Sequence, residues 1–148
     1  MNWKVITEDT KSSLHDHVIT DVEIGKDIVL YFEDGFDVTK DNACNNTGRH
    51  KLTGNAAVIL QNATFIEGIK YLANNAEKRV IVEELKELEF EVLEFIADEE
   101  RKEVVIFGDA WDESVFSKLV FRASKVFYCW NEFVDDAWFQ DWKAGEEK

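Results

Sequence analysis

Apolar and polar residues alternate with a period of two along most of this chain, in short runs broken by Gly, Asn and Asp. Such a period puts successive side chains on opposite faces of an extended backbone, so it predicts strands. "VITDVEI" (18–24) places Val18, Val22 and Ile24 on one side. Gly25-Lys26-Asp27 then turns the chain into "IVLYFE" (28–33), and Asp34-Gly35 supplies a second turn, because Gly accepts a positive φ. "FDVT" resumes a strand; "AAVILQ" (56–61), "TFIEGIKYL" (64–72) and "RVIVEEL" (79–85) continue in the same style. Toward the end, "EVVIFG", "VFSKLVF" and "SKVFYCWNEF" predict three more strands. In the last, Val126, Tyr128 and Trp130 share one face while Phe127 and Cys129 share the other. Apolar residues on both faces mark a central strand.

Residues 83–102 carry two periods at once. Ile81, Leu85, Leu88, Val92 and Phe95 fall at helical spacing, yet Leu88, Phe90 and Val92 also alternate with Glu87, Glu89 and Glu91. Phe90 lies off the helical stripe and fits the alternation, so the strand is preferred. The tail "DDAWFQDWKAGEEK" predicts a short helix capped by Asp135 or Asp136, with Trp138 and Trp142 sharing a face. There is no proline, no linker and no repeat, so residues 1–148 form one expected domain. The expected architecture is mostly β: a single-domain β-sandwich or partly open β-barrel with a short C-terminal helix.

Charge changes the functional picture more than the fold. The net charge is −14, of which residues 75–148 carry −10. Phosphate backbones and anionic membrane surfaces are repelled, so neither nucleic acid nor membrane is an expected partner. A protein with a basic surface is favoured. The first residues hold no apolar run of signal-peptide type, and two cysteines make no disulfide framework, so the expected location is cytoplasmic. Oligomeric state is not read from composition.

Reactive residue types crowd together only in "FEDGFDVTKDNACNNTGRHKLTG" (32–54). Asp34, Asp37 and Asp41 do not have EF-hand spacing, and "GRHKLTG" lacks the Gly-Lys-Ser/Thr ending of a phosphate loop. His15 and His17, with Cys44 and His50, offer a weak zinc-type donor set. The Asn, Asp, Gly and Thr content is that of Asx turns, so the segment is read as a connection. No Gly-x-Ser-x-Gly elbow is present, Cys129 lies in an apolar run, and neither a catalytic group nor a cofactor is predicted.

Two aromatic regions remain. Trp111 with Asp109 and Asp112 has the makings of a small-ligand or carbohydrate site. Trp138 and Trp142 beside Asp135 and Asp136 form an acidic aromatic terminus suited to holding a partner protein. The leading functional expectation is a non-catalytic, acidic binding module that inhibits or sequesters a basic protein. A carbohydrate-binding β-module and a histidine-based metalloenzyme are the alternatives.

Overall fold

The alternating runs become strands paired entirely in antiparallel fashion. The computed structural model describes residues 2–87, 89–110 and 115–141. In chain order the strands are β1 (Val5–Thr7), β2 (Ser12–Ser13), β3 (Val18–Ile19), β4 (Asp21–Ile24), β5 (Ile28–Phe32), β6 (Asp37–Val38), β7 (Lys51–Thr53) and β8 (Ala56–Gln61). They continue as β9 (Thr64–Tyr71), β10 (Glu77–Arg79), β11 (Phe90–Asp98), β12 (Glu103–Ala110), β13 (Val115–Arg122), β14 (Lys125–Trp130) and β15 (Phe133–Asp136). A first sheet has the order β1-β14-β8-β5-β4, a second β10-β9-β13-β12-β11-β3, and a third β15-β7-β6-β2. None of the three closes on itself.

Two sharp corners carry the chain from the first sheet to the second. β8 pairs with β14 and β9 with β13, so one two-stranded ribbon bends at Asn62-Ala63 and at Ala123-Ser124. The bend is held where the Asn62 N–H donates to Asp27 Oδ1 at 2.9 Å and the Ser124 N–H donates to the Gln61 carbonyl at 2.8 Å. Asn62 takes a positive φ of 49°, which an Asn tolerates better than most side chains. The second crossing corrects a sequence expectation. "VITDVEI" is two strands, because Thr20 turns its N–H to the Tyr31 carbonyl and the chain changes sheets there.

Between these sheets lies one apolar core. Ile28, Leu30, Phe32, Val58 and Leu60 face Val104, Ile106, Leu119 and Phe121, all nearly free of solvent. Phe36 is fully buried among the edges of Phe32, Tyr128 and Trp130, with ring centroids 5.5–6.3 Å apart. β14 is central, as its two apolar faces predict.

Two further expectations change, and the preferred strand within 83–102 stands from Phe90 onward. "RVIVEEL" is not a strand: β10 ends at Arg79, and Val82–Glu87 form a 3₁₀ turn. The Glu84 carboxylate accepts the Ile81 N–H at 2.9 Å, satisfying a donor at the start of that turn, and Leu85 is buried by it. The ambiguous segment is a strand from Phe90 onward, with a bulge between Val92 and Glu94. Phe90 and Val92 face inward before the bulge, and Phe95 and Ala97 pack on the core after it. That one-residue change of phase is why the segment also carried a helical stripe. Gly108 admits the bulge, since a Cβ there would fall 2.1 Å from the Glu91 carbonyl oxygen.

The tail, too, departs from the expected helix. Residues 133–136 are β15, paired with β7, and residues 138–141 form a turn. Extended backbone brings Asp136 to Arg49 and Lys51, where it makes ion pairs at 2.8 Å with each. Trp142 lies outside the described residues. Among the described residues no helix is long and apolar enough to cross a membrane.

Candidate functional site

β11 is long, but among the described residues its outer edge is covered only at the start. β3 pairs with it at Phe90 and Glu91. The Val92 N–H then donates to the His17 carbonyl at 2.9 Å, and the Asp16 N–H donates to the Val92 carbonyl at 2.7 Å. His15 ends this coverage, its Nδ1 standing 2.8 Å from the Leu93 carbonyl oxygen. Asp16 has a positive φ of 67°, so the chain turns sharply there. The preceding residues leave for the third sheet, where β2 pairs with β6. From Glu94 to Asp98, β11 therefore pairs with β12 alone among the described residues.

The departing segment and the open edge enclose a groove. A cleft of about 500 Å³ is lined by Ser12, Ser13 and His15 on one side and by Phe95 and Ala97 on the other, with largely buried Tyr128 between them. A smaller cleft of about 200 Å³ adjoins it, sharing Thr10 and Ala97. Its carboxylates are Glu8, Asp98, Glu99 and Glu103, against the amines of Lys102 and Lys125. Glu94 adds a fifth carboxylate at the first cleft. Lys125 stands 3.9 Å from Glu8, an exposed pair that water and salt screen strongly.

Two polar groups of this groove are unusual. The Ser12 Oγ is buried and has no hydrogen-bond partner among the described residues, a state that costs about 1–3 kcal/mol. Tyr128 packs edge-on against Phe95 at 6.3 Å, and its hydroxyl is pushed up to about 12, first by burial and then by the negative charge of Glu99. Tyr128 is thus a neutral hydroxyl at any ordinary pH.

The weak metal donors are not brought together, and no group of three or more His, Cys, Asp or Glu among the described residues has a metal-binding arrangement. His15 is engaged with Leu93 and Asp16, and His17 with Asp37. The His50 Nδ1 accepts the Lys40 N–H at 3.0 Å, and Cys44 packs against the core. The 32–54 segment is only partly the connection expected: it contributes β6 and β7 to the third sheet, and residues 39–50 between them are a connection held by their own amides. Asn45 is buried, and its Nδ2 donates to the carbonyls of Val38, Thr39 and Arg49, while its Oδ1 accepts from Thr47.

The acidic terminus is less acidic than its sequence. Asp136 is held down to about 2 by hydrogen bonds from Arg49 and Lys51, so its charge is matched within the molecule. Asp135 and Trp138 are exposed, and Trp138 stands edge-on to Phe139 at 5.4 Å. Asp109 is half-buried on the outer face of the second sheet, paired across to Phe116. Phe107 and Phe116 stack there at 6.0 Å, and Tyr71 stacks on Phe116 at 5.9 Å. Trp111 and Asp112 lie outside the described residues.

The β11 groove was not predicted from sequence. Its one local signal is the change of phase at Leu93-Glu94, where the alternation of acidic and apolar residues slips by one. No family model, no curated protein and no solved structure matches this chain at a significant level.

Proposed function

We propose that this protein is a non-catalytic binding module for a protein with a basic surface, acting in the cytoplasm to inhibit or sequester that partner. The observation that carries the reading is the groove beside β11: an apolar wall of Phe95 and Ala97 and an unpaired strand edge, rimmed by Glu8, Glu94, Asp98, Glu99 and Glu103. Apolar contact supplies affinity at the centre of an interface, while surrounding charge steers the encounter and selects the partner's sign. The net charge of −14 acts in the same direction at long range. Trp138 and Asp135 provide a second exposed contact of the same character.

The test is association with folded basic proteins measured at rising salt. Affinity should fall steeply between about 0.05 and 0.5 M salt, as screening shortens from roughly 14 to 4 Å. Weak, salt-independent binding across basic proteins would defeat the proposal.

A second reading is favoured by one observation. The stacked rings of Tyr71, Phe116 and Phe107 beside Asp109 form an aromatic surface with a hydrogen-bonding carboxylate, the composition of a carbohydrate site. Loss of a saccharide-induced fluorescence change in Phe116→Ala would support it. The histidine-based metalloenzyme has no comparable support.

A further inference from the structure

We infer that the open edge of β11, from Glu94 to Asp98, is a docking site for an extended basic segment that adds to the second sheet as a further antiparallel or parallel strand. The inference rests on the binding-module reading and names its mode of recognition. An unpaired strand edge offers backbone donors and acceptors in a fixed row, which an extended chain satisfies regardless of its sequence. The five residues from Glu94 to Asp98 span about 17 Å at about 3.3 Å each, room for one short strand.

Side-chain periodicity specifies the occupant. Phe95 and Ala97 pack against the core, whereas Glu94 and Ile96 are exposed on the opposite face. An added strand would therefore place alternate side chains toward the apolar floor with Tyr128 and Leu14, and the others beside Glu94. The fitting sequence alternates apolar and basic residues.

Charge also excludes the commonest alternative, a second copy of this chain. Two β11 edges brought together would set Glu94, Asp98 and their neighbours against the same carboxylates. The bulge and the acidic residues that guard this edge against self-pairing leave it open to a strand of opposite charge.

The experiment titrates the full chain with a capped peptide of alternating lysine and valine, about eight residues long. Amide hydrogen exchange and calorimetry are the readouts. Two analogues carry N-methyl groups on alternate amides, one on each set. Expected are binding, slowed exchange of backbone amides within residues 94–98, and at least a tenfold loss for one methylated analogue only. Glu94→Lys combined with Glu99→Lys should weaken the peptide by a similar factor while leaving the exchange pattern of the free protein intact. Equal affinity of both methylated analogues, or exchange unchanged at β11, would overturn strand addition. So would concentration-dependent dimerisation through this edge. If the peptide fails while folded basic proteins still bind in a salt-dependent way, strand addition alone is lost. If neither binds, the functional reading falls with it.

Discussion

The Nε2 of His17 stands 2.8 Å from Oδ2 of Asp37, a carboxylate on β6 that is 1% exposed. Its other oxygen, Oδ1, is buried with no partner among the described residues. His17 is thus the group that makes the burial of Asp37 tolerable, and it ties the end of β3 to the third sheet. Replacing His17 by Ala should cost about 1–3 kcal/mol, since the buried Asp37 Oδ2 loses its hydrogen-bond partner. The double variant His17→Leu with Asp37→Leu should cost distinctly less. Urea unfolding of the two variants decides it, and equal losses would mean the pair is not coupled.

Asn45 concentrates an unusual share of the 39–50 connection in one side chain. It donates to three carbonyls and accepts from Thr47. Asn45→Ala should destabilise the fold by about 1–3 kcal/mol, because the buried Val38 carbonyl loses this donor, while those of Thr39 and Arg49 keep the Asn42 N–H and the Thr47 hydroxyl. Asn45→Asp should be no better, since a carboxylate has no N–H to give. Denaturant midpoints measure both.

Asp136 links the tail to the loop through Arg49 and Lys51, and its carboxyl is lowered to about 2 from an ordinary 3.8. A folded-state pKa below the unfolded one contributes stability above about 3.8, and that contribution is lost as pH falls from there toward 2. The wild-type protein should lose more stability than Asp136→Asn across that interval. Parallel urea titrations at successive pH values test this, and identical slopes would show the ion pairs to be without effect. Added salt should narrow the difference, because the groups are partly exposed.

Burial pushes the Cys129 thiol up to about 11. At pH 8 only about a thousandth would be thiolate, and the side chain is also sealed from reagent. In a Cys44→Ala background, modification by a disulfide reagent should proceed no faster than unfolding. Rapid labelling of the folded protein would contradict the position of β14.

Gly35 has a φ of +82°, and a Cβ there would lie 2.2 Å from the Thr53 carbonyl oxygen. Gly35→Ala should lower stability by more than the ~1 kcal/mol of a conformational penalty alone. A thermal midpoint equal to wild type would show that the turn can relax.

Local pattern determined a good deal of this molecule. The period of two made it mostly β, Gly25-Lys26-Asp27 and Asp34-Gly35 marked two turns, and the two apolar faces of Val126–Trp130 marked a central strand. These features depend on residues a few positions apart, and so do the Asx interactions of Asn42 and Asn45 that hold the connection 39–50. Tertiary structure decided what depends on distant partners. Thr20 splits one apparent strand because Tyr31 offers it a carbonyl, and Asp136 is extended opposite Arg49 and Lys51 at the start of β7. The groove belongs to the same class. An open edge is the place where no strand has arrived, and alternation along β11 is the same whether or not a neighbour pairs with it. Among the described residues, it is the path of 8–17, turning away at Asp16 toward the third sheet, that leaves that edge uncovered.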